Sequence, residues 1–178
     1  MKKILIIILL AAVNFPAASA SIKEDTESLI REKLGDSITT EFIKYEIPKD
    51  IKKQIETESR QKFYGDFVYI YKVFQNNKFQ NLVIVDNVYG KSMPITFLVI
   101  YDTSGVIYSS GIIKYREQYG GGVKSGEWNK QFNGKDHKSV YEVGKDISAI
   151  SGATISVNSI TRGIKKLTLL VNKIKDSL

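Results

Sequence analysis

After the first twenty residues, hydrophobic and polar positions follow the 3.6-residue period of an α-helix. In segment 22–34 the apolar residues are spaced so that they share one helical face, and Gly35 follows as a typical helix end. A second helical pattern covers segment 48–63, with Pro48 suited to the first turn. This second segment is strongly charged, so we expect its helix to be only partly buried.

From residue 63 onward the pattern becomes typical of β-strands. Four short runs are rich in β-branched and aromatic residues and are separated by turn signals. They are "DFVYIYKVF", "NLVIVDNVY", "ITFLVIY" and "GVIYSSGII". The sequence Asp102-Thr-Ser-Gly105 between the last two predicts a hairpin turn. Five of the ten tyrosines fall in these runs, where a half-buried ring with a polar tip is common.

The last segment predicts a long helix with one apolar stripe. Its apolar residues alternate spacings of three and four, and basic residues occupy the other faces. The stripe consists of Val157, Ile160, Ile164, Leu167, Val171, Ile174 and Leu178. Before it, a glycine-bearing loop contains a short helical piece around Trp128 and Phe132. These patterns predict a single α+β domain, in which N-terminal helices and a long C-terminal helix pack on a mostly antiparallel sheet.

The first twenty residues have the pattern of a secretory signal peptide. Lys2 and Lys3 precede the apolar stretch Ile4–Val13, and Ala18-Ser19-Ala20 is a small-residue cleavage site. The stretch is short for a membrane span, so a retained anchor is the less favoured alternative. We therefore expect a product that is periplasmic or otherwise exported, and soluble after cleavage of the signal. Its single domain would cover residues 21–178, with helices and first strands in 21–90 and the candidate chemistry in 91–178.

Composition excludes several kinds of redox centre. The chain has no cysteine, which removes disulfides, thiolate-bound zinc, iron–sulfur clusters and c-type haem attachment. His137 is the only histidine, so a metal centre built on imidazoles is also excluded. Any redox chemistry must therefore be carried by an organic cofactor.

The net positive charge of the chain gives little information about its binding partners. The formal net charge is +7, and removal of Lys2 and Lys3 leaves 24 basic and 19 acidic residues, or +5. An exported protein with no basic run longer than a pair is a poor candidate for binding nucleic acid.

The most informative stretch is "DISAISGATISVNSI", which enters the last helix. Ser151, Gly152, Ala153 and Thr154 lie at its predicted N-terminus, where free N–H groups and the helix dipole favour an anion such as phosphate. Gly152 and Ala153 allow close approach. The alternative is a simple cap, in which Ser151, Thr154 or Ser156 accepts from the first turn and nothing binds.

Two sequence blocks resemble the FMN-binding domain family. "DISAISGAT", residues 146–154, is similar to the family's attachment motif, in which an Asp precedes Ser/Thr-Gly-Ala-Thr. "IIKYREQYGGGVKSGEWNKQFNGK", residues 112–135, resembles the upstream run that closes in Phe-x-Gly-Lys. The family's Glu-Thr is Glu117-Gln118 here, and its usual Pro is Tyr119. Members include the C subunit of the sodium-translocating NADH:quinone reductase and the G subunit of the Rnf complex.

The resemblance implies covalent FMN on Thr154, joined through a phosphodiester bond. An exported, magnesium-dependent flavin transferase would use FAD and release AMP. The motif position of Asp146 is associated with recognition or activation in that step, although the residue could equally cap or turn the chain. Ser151, Gly152 and Ala153 complete the motif beside the phosphate.

Four features of the upstream block are candidates for contact with the flavin ring. Trp128 and Tyr119 offer apolar surface, and Glu117 and the turn around Gly121 could meet the polar edge of the ring. Each has a structural alternative: a core anchor for Trp128, a salt bridge for Glu117 and a plain turn for the glycines.

We predict an electron carrier that is not itself an enzyme and passes electrons between a redox donor and acceptor, either of which could be membrane-bound. The alternatives are a small exported flavin-dependent oxidoreductase and a flavin-free binding module. The carrier is favoured because no acid/base or nucleophile constellation appears elsewhere in the chain.

Overall fold

The computed structural model describes residues 21–177. Its centre is a five-stranded antiparallel sheet in the order β1-β2-β3-β4-β5, so every strand pairs with its neighbour in sequence. The strands are β1 (Thr39–Glu46), β2 (Phe67–Gln75), β3 (Lys78–Tyr89), β4 (Pro94–Asp102) and β5 (Ile107–Lys114). The antiparallel sheet and its helices confirm the predicted α+β class.

Residues 21–177 also form four α-helices. They are α1 (Ile22–Leu34), α2 (Lys49–Ser59), α3 (Gly126–Asn129) and α4 (Thr154–Ile174). Short 3₁₀ turns cover Gly121–Lys124, Lys130–Phe132 and Lys175–Ser177. α1 begins with a capping box between Ser21 and Glu24. Gly35 follows its last residue as the C-cap, which confirms the predicted helix end. Pro48 stands just before α2 rather than inside its first turn.

Both faces of the central strands are covered, which makes the domain three layers thick. Along β4, Phe97 and Tyr101 point into the core shared with α4, whereas Leu98 and Ile100 point into a second core shared with Ile30 of α1. This alternation follows from the two-residue period of a strand. β4 is therefore apolar on both faces, unlike the outer strand β1.

The apolar stripe of α4 docks this helix on the sheet. Its members from Val157 to Ile174 are at most 1% exposed, which confirms the predicted stripe within the described residues; Leu178 lies outside them. Gly163 lets the helix come close, because a Cβ at this position would lie 2.8 Å from Val88 Cγ1 and 2.9 Å from Phe97 Cζ. The position and direction of Thr154, the first helical residue, are set by this packing.

The sequence patterns missed one strand. β1, with the sequence "TTEFIKYE", is exposed or half-buried along its whole length, so it lacks the apolar run by which the other strands were identified. The hairpin turn between β2 and β3 contains no glycine, so it lacks the usual sequence signal for such a turn. Asn76 and Asn77 both adopt positive φ there, a conformation that asparagine tolerates better than most residues.

The predicted signal peptide, residues 1–20, lies outside the described residues. Between residues 21 and 177, no helix has the length and apolar character needed to cross a membrane.

Candidate functional site

A cleft of about 460 Å³ opens at the N-terminus of α4. Three segments form it: the turn after β3, the loop after β5 and the first turn of the helix. Its lining residues are Lys91, Ser92, Glu117, Gln118, Tyr119, Gly120, Gly152, Ala153, Thr154, Ile155 and Ser156. The sheet order brings the first two segments together, because β3 and β5 flank β4 and both segments lie at the same end of the sheet.

Thr154 is the first residue of α4 and is exposed in this cleft. Gly152 has φ +73°, a left-handed conformation that turns the chain into the helix. Ala153 precedes the helix, and no side chain accepts a hydrogen bond at this cap. The capping alternative is therefore not what the structure adopts, and the first-turn N–H groups stay available for an anion.

A hydrogen-bonded tyrosine joins the loop after β5 to the start of α4. The Tyr115 hydroxyl donates to the Tyr119 carbonyl and lies 2.9 Å from Ser156 Oγ. Gly120 fits beneath it with φ +81°, where a Cβ would lie 2.8 Å from Tyr115 Oη. Ser156 is thus engaged away from the helix cap. This network fixes the width of the cleft beside Ala153.

Glu117 lines the cleft and accepts hydrogen bonds from the turn after β3, which forms the opposite wall. Its Oε1 accepts from the N–H of Ser92 at 2.6 Å and from the N–H of Met93 at 2.9 Å. The N–H groups of Met93 and Ser92, in that order, hold the pKa of this carboxyl below its ordinary value. A Cβ at Gly90 would lie 2.4 Å from the same oxygen, so a larger residue there would displace the Glu117 carboxylate. The structure gives Glu117 a positioning role in the turn after β3.

Asp146 is not in the cleft but ties the two sequence blocks together. Its carboxylate pairs with Lys135 Nζ at 2.6 Å and accepts from the Glu142 N–H at 2.7 Å. Burial opposes the charge, but the Lys135 ammonium and the Glu142 N–H outweigh it and keep the pKa of Asp146 below its ordinary value. Lys135, which ends the upstream Phe-x-Gly-Lys, thus forms an ion pair with Asp146, which precedes Ser-Gly-Ala-Thr in the second sequence block.

Trp128 supports the same loop from the core. It is 7% exposed, packs edge-on against Phe132 and donates its indole N–H to the Ser148 carbonyl at 2.9 Å. Trp128 and Gly121 do not line the cleft, and Ser151 lies exposed just outside it. The proposed contact of Trp128 with a flavin ring stays a prediction, while the structure gives this residue an anchoring role.

Sequence reasoning did not name Lys91, Ser92, Tyr115 or Ile155 as residues of the site, and it named Ser156 only as a possible helix cap. Lys91 and Ser92 are far from the motif in sequence, and only the pairing of β3 with β4 places their turn beside α4. Tyr115 lies within the upstream block at residues 112–135, so the sequence already offered its hydroxyl as a candidate for hydrogen bonding in the site. In the described residues 21–177, no group of three or more His, Cys, Asp or Glu side chains is arranged to hold a metal ion.

The arrangement suits a ligand that carries a phosphate and a flat, partly apolar body. The uncapped helix start and Lys91 favour the negative charge. The ring of Tyr119, 76% exposed, stands at the rim and offers a surface for stacking. The geometry is thus that of a protein suited to hold an anionic ligand at a helix N-terminus.

Comparison with known families makes the class specific. Residues 90–168 match the family model of the FMN-binding domain. This match identifies the region as an FMN-binding domain, and it supports a flavin-binding protein with FMN as its cofactor. The matched region contains the whole of the cleft. No curated protein matches the chain.

Proposed function

We propose that this protein is an exported electron carrier whose FMN is attached to Thr154 through a phosphodiester bond. The observation that carries the proposal is the position of Thr154, which is exposed at an uncapped helix start inside the cleft of an FMN-binding domain. A hydroxyl placed there can be esterified without moving the core, since the apolar stripe faces the other way.

The attachment would be made by a separate, magnesium-dependent flavin transferase that uses FAD. The Thr154 oxygen forms a bond to the phosphorus of the FMN half, the pyrophosphate bond breaks, AMP leaves and the hydroxyl proton is lost. Gly152 and Ala153 allow the close approach this requires, and the N–H groups of the first helical turn stabilise the phosphate. Asp146 would act through the loop that it holds against Lys135 rather than at the hydroxyl.

Bound FMN supplies reversible electron transfer, and the protein's part is to hold and shield it. The cleft contains one carboxylate, that of Glu117, and its Oε1 is already engaged by two N–H groups. This arrangement favours a carrier over an enzyme with its own acid/base chemistry. Its partners would be the transferase and a redox donor and acceptor, with no role for nucleic acid.

Intact mass spectrometry of the mature protein tests attachment. We expect a gain equal to FMN less one water when a flavin transferase is co-expressed, and no gain without it. Thr154→Ala should abolish the gain, whereas Thr57→Ala, a matched change at an exposed helical threonine, should leave it unchanged. An unmodified wild-type protein beside an active transferase would refute covalent attachment and return the motif to a structural role.

The same mass spectra test export. Cleavage before Ser21 predicts that the purified protein starts at this residue, whose side chain caps α1. A product from the cell envelope that keeps residues 1–20 would instead support the retained anchor.

A further inference from the structure

A second cleft, of about 590 Å³, lies along the other exposed side of α4. It is bounded by the C-terminal end of α2, the loop at residues 139–143 and the face of α4 that carries Asn158, Thr161, Arg162 and Lys165. Asn158 donates to the Thr154 carbonyl at 2.8 Å, so this second cleft, called the basic cleft below, begins one helical turn from the first cleft at Thr154, the proposed flavin cleft. Nothing in the proposed flavin chemistry uses it.

Three cations line the basic cleft, and two of them are free. The guanidinium groups of Arg60 and Arg162 are exposed and make no hydrogen bond or ion pair with any residue between 21 and 177. Lys165 Nζ donates to the Glu58 carbonyl at 3.3 Å. Of the two carboxylates in the lining, that of Glu142 is paired with Lys145 outside the cleft at 3.6 Å. The lining therefore has an excess of positive charge.

Arg60 has an unusual backbone conformation for its residue type. Arg60 ends α2 with φ 53° and ψ 34°, a left-handed conformation in which glycine or asparagine is far less strained. The other non-glycine residues with positive φ in the described chain are Asn76 and Asn77, the residue type expected there. Arg60 therefore adopts this conformation at some conformational cost, and the turn places it at the end of α2 in the lining of the basic cleft.

Thr161 supplies an unpaired donor in the wall of the same cleft. The residue is 1% exposed, and its hydroxyl has no hydrogen-bond partner among the described residues. Other helical threonines, such as Thr26 and Thr168, donate to the carbonyl four residues earlier, at 2.6 and 2.8 Å. Thr161 does not use this default bond. A buried hydroxyl without a partner is costly unless a ligand or water completes it.

From these observations we infer that the basic cleft binds a small oxyanion, a molecule that carries phosphate or carboxylate groups. Arg60 and Arg162 would provide charge-assisted, forked hydrogen bonds, and Thr161 would donate from the wall after a change of rotamer. Lys165 would add charge at the far end. The inference is independent of flavin attachment and applies equally to the protein without FMN.

Calorimetric titration of the mature protein with pyrophosphate and, separately, with succinate tests this inference. We expect saturable one-site binding in the millimolar range or tighter for at least one probe, weakened at high salt. Tighter binding of pyrophosphate would identify a phosphate ligand, and tighter binding of succinate a dicarboxylate. Absence of binding by both probes up to about 10 mM would overturn the inference.

Four variants separate a built site from general charge. Arg162→Gln and Arg60→Asn should each weaken binding by roughly tenfold or more, and asparagine keeps the left-handed turn unstrained. Lys173→Gln removes one exposed charge from the same helix outside the cleft and should have little effect. Equal weakening by Lys173→Gln and Arg162→Gln would show diffuse attraction and refute the site.

Thr161→Val is the fourth variant, and we expect it to raise thermal stability and to weaken the binding of the probe. Removal of an unpaired buried hydroxyl should raise the melting temperature of the ligand-free protein by a few degrees. It should also weaken the binding of the probe several-fold. If binding is unchanged, Thr161 has no part in the site; if melting falls, its hydroxyl has a partner within the fold.

Discussion

A buried ion pair fixes α4 to the sheet, and removal of one partner should destabilise the domain strongly. Lys166 is 0% exposed and Asp86 is 4% exposed, with 2.6 Å between Nζ and Oδ2. Lys166 also donates to the Lys62 carbonyl at 3.0 Å and lies 4.5 Å from the centre of the Phe63 ring. One ammonium therefore joins α4, β3 and the segment after α2.

Lys166→Met keeps most of the side-chain volume but leaves the Asp86 carboxylate with the N–H of Asn87 as its remaining hydrogen-bond donor. Removing one partner of such a pair typically costs about 3–5 kcal/mol. This is a large fraction of the roughly 5–15 kcal/mol that stabilises a domain. The double variant Asp86→Leu with Lys166→Met replaces both charges by apolar groups, and we expect it to recover most of the loss.

Urea unfolding followed by the fluorescence of Trp128, the single tryptophan of the chain, measures these free energies. A loss below about 1 kcal/mol for Lys166→Met would refute the reasoning, since the carboxylate would then be hydrated in the native state. A double variant as unstable as the sum of the single variants would refute it as well, because the two residues would then not be coupled.

The pH dependence of the Lys166→Met variant provides a second check. Burial raises the pKa of Asp86, and the Lys166 ammonium partly opposes this. Without the ammonium the native state should hold the proton on Asp86 still more strongly than the unfolded chain does. Stability then falls as pH rises above the ordinary carboxyl value, so the variant should lose less stability near pH 5 than near pH 8.

Three further substitutions test the parts that position the flavin cleft. Tyr115→Phe removes the hydroxyl that joins the glycine turn to Ser156, so stability should fall by about 1 kcal/mol and flavinylation should slow in the mass assay. Unchanged flavinylation would rule out a positioning role. Gly163→Ala places a methyl group 2.9 Å from the Phe97 ring, which should cost roughly 1–3 kcal/mol in urea; a gain in stability would contradict the close packing. Asp146, whose pKa is lowered in the fold, stabilises the protein at neutral pH and loses this effect as pH falls below about 4. Asp146→Asn should therefore be less stable at neutral pH and decline less in acid, and a parallel acid curve would contradict this.

Part of the candidate site was predictable because its residues are close in sequence. Gly152, Ala153 and Thr154 form a contiguous turn before an amphipathic helix, and local φ/ψ preferences together with a 3.6-residue period suffice to place them. The helix start at Thr154 follows from the same signals. The role of Trp128 was less determined, because an indole suits a core and a flavin platform equally well. In the structure the indole N–H donates to the Ser148 carbonyl, which gives Trp128 an anchoring role, while its contact with the flavin ring stays a prediction.

The sequence by itself determined the fold class, the long docked helix and the Ser-Gly-Ala-Thr turn at its start, because each rests on short-range periodicity or a contiguous pattern. Tertiary structure alone decided that the turn at Lys91 faces Thr154, and that Asp146 pairs with Lys135. It also decided that Arg60 and Arg162, about a hundred residues apart, line one cleft. Such contacts depend on strand order and helix packing, which set the distances between remote residues and leave no periodic trace in the chain.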